Sequence, residues 1–369
     1  MADTPSDLQR DAAHHIVTEY LGVRAGENAI VESWDHTMPM AAAMVDEIRR
    51  AGGRVLLVHE DENAWWRAID RKQSTLLGRS SEPEWAALKA ADVYVMFWGP
   101  GDPDRIDTLR EKTFDEALDW NSTWYEVARK TALRGVRMTA GFVNEGRARK
   151  WGLDRARWEE GVLRACLVDP EELVQSSARL CRTLSRGRHV RITHSNGTDL
   201  EVALAGIAPR VMDGRPHPRD KRYGPYGMMG SIPGGYVDAV LDSKTAEGRF
   251  RANRRTNIWW NSHAGATLDF RGGKLASYSV EDGEEQLARQ YRRATRGRDR
   301  TSVLTFGLNP AVKDVAYLEK GERGCVTLQI GGNRGLGGTN GSNFFTWFTL
   351  GGSDIAVDGA PVMRAGELL

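Results

Sequence analysis

An α/β amino-terminal half followed by a β-rich carboxyl-terminal half is predicted by three features of the sequence. Short apolar runs alternate with amphipathic helical stretches up to about residue 186, strand-period alternation takes over from His189 onward, and glycine becomes dense after that change. With 369 residues, 40% of them hydrophobic, the chain has enough apolar surface for two cores, which sets the expected domains at 1–186 and 187–369.

The elements follow in order. Residues 7–21 carry apolar side chains at helical spacing, and 29–31 form a short apolar strand that runs into Glu32-Ser33-Trp34-Asp35. A helix over 39–50 is closed by Gly52-Gly53, and residues 54–59 make a second apolar strand. The unit repeats: a long helical stretch leads to the continuous apolar run 92–98, of the kind buried on both faces, and 136–139 is the fourth strand. Strands separated by helices imply a parallel, doubly wound sheet with right-handed crossovers. Ligands of such sheets lie beyond the carboxyl ends of the strands, which here means near Trp34, Asp35, His36, Glu60 and Trp98-Gly99-Pro100. A helix starting after Asp169-Pro170 runs to the boundary near residue 186. Beyond it, Ser195-Asn196-Gly197-Thr198 is a hairpin turn between 189–194 and 199–204, and 267–271, 325–330 and 344–350 read as short strands.

Composition narrows the function classes. Lys and Arg total 51 against 50 Asp and Glu, a formal net charge of +1, so no single-sign field draws in nucleic acid or an anionic membrane. No eighteen apolar residues run together and the amino terminus has no basic-then-apolar leader, from which a cytoplasmic protein is expected. Cys166, Cys181 and Cys325 are an odd number without C-x-x-C spacing, which fits a reducing compartment and no zinc–thiolate site. The glycosylation-type triplet Asn121-Ser122-Thr123 reads as chance without a leader.

Five segments, in order along nearly the whole chain, resemble the aminopeptidase T and aminopeptidase S metallopeptidases. They are Tyr20-Leu-Gly-Val-Arg-Ala-Gly-Glu-Asn-Ala-Ile30, His194-Ser-Asn-Gly-Thr-Asp-Leu200, Ile232-Pro-Gly-Gly235, Phe306-Gly-Leu-Asn-Pro310 and Gly338-Thr-Asn-Gly-Ser342. The resemblance implies an active site in the β-rich domain and a homodimer. It also implies a pair of metal ions held by two glutamates, two histidines and an aspartate, which polarise a carbonyl and generate hydroxide near neutral pH. Carried over position by position, those ligands fall on Tyr236, Val303, Thr327, Phe345 and Trp347. None of these five is a carboxylate or an imidazole, so a dinuclear aminopeptidase is not expected. A relative of this fold, 2,5-dihydroxypyridine dioxygenase, would place a ferrous ion's ligands at about Val303, Phe345 and Trp347, which excludes that arrangement too. It indicates, by analogy, that the scaffold accepts small heterocyclic substrates.

Two functions of different class follow. The first is a metal-independent enzyme, hydrolytic or lyase-type and without a cofactor, acting on a small, partly aromatic or heterocyclic molecule. The second is a binding or scaffold protein that kept the fold and lost the reaction; a metalloenzyme with a relocated site around His189, His194, His217 and His263 is a further alternative. For the enzyme, the candidate catalytic residues are Asp238 and His217 as base, Cys325 as a thiol on the strand face of Thr327, and Tyr236 and Thr327 as polar contacts. His217 lies in the polar stretch Asp213-Gly-Arg-Pro-His-Pro-Arg-Asp-Lys-Arg222, which reads either as a solvated loop or as a lid. Substrate contacts are expected from Phe345, Trp347 and Trp259 as aromatic walls of a small apolar pocket, with Trp260 beside them, and from Asn309, Ser342 and Asn343. The glycine run Gly331-Gly-Asn-Arg-Gly-Leu-Gly-Gly-Thr-Asn-Gly-Ser342 lacks a P-loop lysine; its amides, with Arg334, are an oxyanion-binding candidate.

Overall fold

The computed structural model describes residues 4–79, 81–118, 127–128, 130–217, 229–258 and 261–369. They form two compact units. One holds residues up to Asp169 together with 214–217 and 229–233; the other holds the described residues of 170–213 and 234–369. The helix Pro170–Arg186, whose end marks the sequence-based boundary, groups with the second unit. Asn121, Ser122, Thr123, Trp259 and Trp260 lie outside the described residues, as do Asp220 and Lys221 of the polar stretch.

The first unit is built on five strands in the order Arg54–Glu60, Asn28–Trp34, Val93–Phe97, Arg134–Met138, Gly230–Ile232, and every pairing is parallel. The first four in chain order are the predicted apolar runs. The fifth is contributed by a chain segment returning from the second unit, and its three residues are too few to carry a period of two. Side chains alternate across this sheet. Val31, Val95, Phe97 and Val136 enter a cluster with Ala12, Ile16, Met44, Ile48 and Leu163 on one face, while Ile30, Tyr94 and Met96 join Leu88, Leu133 and Met229 on the other. Both faces are thus covered, as a parallel sheet requires. The run over 54–59 is an exception in burial: it forms the outer strand, and Leu56 and Leu57 remain 48% and 38% exposed.

Helix ends in this unit follow local chemistry. Ser6 and Gln9 form a reciprocal capping box, with Gln9 N–H donating to Ser6 Oγ at 3.2 Å and Ser6 N–H to Gln9 Oε1 at 2.9 Å. The predicted helix over 7–21 is α-helical over Asp7–His15 and continues as a π-turn over Ile16–Tyr20. The helix Met38–Arg50 stops at Gly52, where φ is +83° and a Cβ would lie 2.9 Å from the Ala25 side chain, so both conformation and space demand glycine. No helix among the described residues is long and apolar enough to cross a membrane.

The second unit pairs its strands antiparallel. An eight-stranded sheet runs in the order Lys274–Ser279, Thr267–Arg271, Glu247–Arg251, Thr198–Ala203, His189–His194, Asp354–Val357, Ala360–Arg364, Glu367–Leu368. The predicted hairpin is its centre, with Gly197 at the turn. A second, five-stranded sheet runs Phe345–Gly351, Cys325–Gly331, Thr301–Gly307, Tyr236–Val240, Arg210–Met212, and the helix Pro170–Arg186 packs on the last two strands. One face of this sheet is mostly apolar, from Val237 and Ala239 through Leu304 and Phe306 to Leu328, Phe348 and Leu350, all buried, with the buried Thr301 and Thr346 at one end. The opposite face carries the polar and aromatic residues singled out in the sequence.

Candidate functional site

Antiparallel register brings that second face together. Residues directly opposite on neighbouring strands point the same way, and the Cα partners Arg210–Asp238, Asp238–Thr305, Thr305–Thr327 and Thr327–Thr349 form one row across all five strands. Every member is buried, between 0% and 5% exposed. Thr305 donates its hydroxyl to Asp238 Oδ1 at 2.6 Å, and the Thr327 and Thr349 hydroxyls are 2.9 Å apart. The neighbouring rows hold Tyr236 on one side and Val303, Gln329 and Trp347 on the other. Tyr236, Asp238, Thr327, Phe345 and Trp347, named from sequence, therefore share one sheet face.

A residue that the sequence did not single out joins them. Lys320 places its ammonium 4.1 Å from the Tyr236 ring centroid and 5.4 Å from that of Trp347. Trp347 in turn stacks with Phe345 at 6.1 Å and 19°, and Phe345 is 41% exposed. Lys320 sits in a one-turn 3-10 helix, Glu319–Gly321, braced by buried carboxylates on both sides. Glu319 Oε1 accepts from the Asn257 N–H at 3.1 Å, from Asn257 Nδ2 at 2.5 Å and from the Tyr317 N–H at 3.0 Å. Glu322 accepts from Arg254 Nη2 at 3.2 Å and from the Asp314 N–H at 3.3 Å. Asp314 and Tyr317 have φ of 52° and 73°, the left-handed region, which costs a non-glycine residue about 1–2 kcal/mol; the two carboxylates hold that backbone in place. Burial pushes Glu319 up to about 7, and its Oε2 is buried without a hydrogen-bond partner. No periodicity marks such a turn, and its sequence, Glu319-Lys-Gly-Glu322, carries no pattern beyond two acids flanking a lysine and a glycine.

The remaining candidates take structural places. Asn309, fully buried, donates to the Gly234 carbonyl at 2.9 Å and accepts from the Ala311 N–H at 3.0 Å. It fixes the Pro-Gly-Gly turn, where Gly235 has φ +121° and a Cβ would lie 2.5 Å from that of Asn309. Ser342 accepts from the Phe344 N–H at 3.2 Å, and Asn343 accepts from the Thr295 N–H at 2.9 Å and hydroxyl at 2.8 Å, so both pin the loop. Within the glycine run, Asn340 donates to the Gly297 and Gly331 carbonyls and its own N–H goes to Asn333 Oδ1 at 2.9 Å. The loop folds around its asparagines, and Arg334 is exposed beside Gly341. Cys325 does share the strand face of Thr327, but burial, aided by Glu322, pushes its thiol up to about 12; it is not a thiolate at neutral pH and does not suit a nucleophile. His217, half-buried, groups with the first unit rather than with the β-rich unit that holds Asp238.

The residues do not fit a metal centre. Of the five ligand positions implied by the resemblance, Val303 is buried and apolar, Thr327 is bonded to Thr349, and the other three carry the rings just described. His263 is pushed down to about 4 by burial, and its Nε2–H donates to the Trp347 carbonyl at 3.2 Å. His194 Nδ1 accepts from the Asn196 N–H at 3.0 Å. Among the described residues no three His, Cys, Asp or Glu side chains converge as metal ligands would.

The strand ends of the first unit are polar in a different way. Asp35 binds His59 Nε2 at 3.0 Å and the Glu62 N–H at 2.9 Å. His36 Nε2–H donates to the Gly141 carbonyl at 2.8 Å, and burial holds this imidazole below its ordinary range. Glu62 accepts from Trp66 Nε1 at 3.0 Å and from the Asp102 N–H at 2.9 Å, while the buried Arg147 donates to the Pro100 carbonyl at 2.9 Å. Glu32, on the second strand from the edge, is pushed up to about 7 by burial and accepts from the Tyr94 hydroxyl. Two open depressions of about 270 and 370 Å³ lie on the eight-stranded sheet, lined by Arg191, Asp354 and Met363 and by Asp199, Arg249 and Asp269 respectively; they hold none of the candidate residues.

No family model matches the sequence, and no curated protein matches it. Solved structures do match in fold. Wild-type AmpT from Thermus thermophilus superposes with a TM-score of 0.71 at 17% identity, over 98% of this chain and 99% of that one. 2,5-dihydroxypyridine dioxygenase from Pseudomonas putida KT2440 superposes with a TM-score of 0.63 at 13% identity, over 99% of this chain and 98% of that one. Over 98% of its length the chain thus has the AmpT-like fold, a parallel α/β unit followed by a β-rich unit, and among its described residues no three His, Cys, Asp or Glu side chains converge.

Proposed function

We propose that the chain is an enzyme working without a resident metal ion on the polar face of the five-stranded sheet, where it converts a small, planar aromatic or heterocyclic molecule by hydrolysis or elimination. The buried row Arg210, Asp238, Thr305, Thr327, Thr349 carries this reading. A sheet face built only for stability would be mainly apolar, as the opposite face of the same sheet is apart from Thr301 and Thr346; burying polar groups costs free energy unless they are bonded or used. In this role Asp238, oriented through Oδ1 by Thr305, takes the proton on its second oxygen as general base, and Phe345 and Trp347 present ring faces to the substrate. Tyr236 and Thr327 flank Asp238 on the same face. That structures of this fold include a 2,5-dihydroxypyridine dioxygenase supports a heterocyclic substrate.

The test is turnover of a panel of aryl amides, aryl esters and heterocyclic carboxamides, read by mass spectrometry with chelator and with added divalent metal. Turnover that is indifferent to chelator and falls by about 10²-fold or more in Asp238→Asn is expected. Turnover that requires added metal, or that survives Asp238→Asn, overturns the reading.

A further inference from the structure

The outer edge of the parallel sheet goes beyond this reading and is independent of it. The strand Arg54–Glu60 pairs with Asn28–Trp34 on one side in unbroken register, and no strand among the described residues pairs with its other side. Arg54 N–H donates inward, to the Glu27 carbonyl at 2.8 Å. Backbone groups alternate in direction along a strand, so the N–H and C=O of Val55, Leu57 and His59 point outward. Proteins ordinarily blunt such an edge with a proline, a bulge or a central charge. This strand has none of these: its centre is Val55-Leu56-Leu57-Val58, with both leucines exposed. Its ends carry opposite charges, Arg54 three residues before Leu57 and Glu60 three residues after it. Neither of these two side chains makes a hydrogen bond or an ion pair among the described residues. Burial pushes Glu60 above its ordinary range, and Glu84, Asp61 and Asp35 add like charge there against the imidazole of His59.

These features are self-complementary. When the strand meets its own copy antiparallel about a two-fold axis at Leu57, the outward groups of Leu57 exchange hydrogen bonds with Leu57, and those of Val55 with His59. Residues directly opposite share a face, so Leu57 lies against Leu57 on one face, and Leu56 against Val58 and Arg54 against Glu60 on the other. A shift by two residues would set Arg54 against Val58 and lose both charge pairs.

We propose that this edge binds a second copy of the chain, joining two five-stranded sheets into one continuous sheet through antiparallel pairing of Arg54–Glu60 about Leu57, with each Arg54 beside the partner's Glu60. A seven-residue strand offers less than the about 1,600 Å² of a standard interface, so the dimer forms at micromolar rather than nanomolar concentration.

Sedimentation equilibrium of the full chain between about 1 and 100 μM reads the association, and circular dichroism checks that each variant is folded. Wild type is expected to dimerise. Leu57→Lys sets two ammonium groups opposite each other at the seam and is expected to weaken the dimer by about tenfold or more. Arg54→Glu and Glu60→Arg each set like charges opposite and are expected to weaken it by about three- to tenfold. The double variant Arg54→Glu/Glu60→Arg exchanges the two charges and regains wild-type association within about threefold, which only this register allows. If Leu57→Lys does not fold, the charge exchange decides by itself. Wild type that stays monomeric, leaving the edge to a strand of some other protein, overturns the inference, as does assembly past the dimer. So does a dimer undiminished in folded Leu57→Lys, or a double variant that associates no more strongly than the single ones.

Discussion

Each of the two units concentrates polar residues at one place, and the two places differ in what those residues are bonded to. At the strand ends of the parallel sheet, Asp35, His36, Glu62 and Arg147 bond to backbone groups and to neighbouring side chains of the same unit, which closes the loops over the sheet. On the polar face of the antiparallel sheet, the row from Arg210 to Thr349 is bonded strand to strand, and beside it stand a lysine over two rings, an exposed phenylalanine and an indole N–H without an acceptor. Polar density alone therefore does not mark a functional site. What distinguishes the second place is a single row of buried polar side chains carried across five strands, with aromatic rings on the same face.

This contrast can be broken by mutation. Arg147→Met removes a buried guanidinium and leaves the Pro100 carbonyl without its donor, with an expected loss of about 3 kcal/mol in urea unfolding. Lys320→Met is expected to cost less than about 1 kcal/mol, the scale of a partly exposed cation–π contact. Equal losses for the two variants would mean that Lys320 is a structural residue like Arg147.

Each unit contains one acid that burial pushes up to about 7 from an ordinary value of 4.5, the half-buried Glu32 in the first and the buried Glu319 in the second. Each binds its proton more tightly in the folded chain than in the unfolded chain. The stability each contributes is fully present below about 4.5 and is lost as pH rises through about 7. Denaturation at about pH 5.5 and 7.5 should show a loss on the order of 2 kcal/mol for each acid, and Glu32→Gln and Glu319→Gln should each flatten the slope. A slope removed by one variant alone would assign the whole effect to one unit. The smallest change is expected from His59→Ala. The His59–Asp35 pair, 3.0 Å apart with side chains 37% and 43% exposed, contributes less than about 1 kcal/mol; a larger loss would mean that these strand ends carry more than surface closure.

Much of the fold was legible because it rests on local pattern. Four strands of the parallel sheet, the hairpin at Gly197 and the strands beginning near Thr267, Cys325 and Phe345 appear where apolar runs and turn residues put them. The fifth parallel strand was not legible, since Gly230-Ser231-Ile232 acquires strand character only by pairing with Arg134–Met138. The candidate site divides in the same way. Tyr236, Asp238, Thr327 and Trp347 sit at strand positions whose alternation can be counted, and they share a face. Asn309, Ser342 and Asn343 carry no pattern beyond their polarity, and their bonds to Gly234, Phe344 and Thr295 are directed to the turns they stabilise.

The sequence by itself determined the succession of the first four parallel strands, the two-part architecture and the residue types at Tyr236, Val303, Thr327, Phe345 and Trp347, none of them carboxylate or imidazole. Those properties depend on residue type and on periods of two and 3.6, which are local. Only the tertiary structure decided that five strands align Arg210, Asp238 and three threonines in one buried row, and that Lys320 lies over Tyr236 and Trp347. Cross-strand register and the packing of a turn on a sheet join residues up to a hundred or more positions apart, and no local pattern encodes that distance.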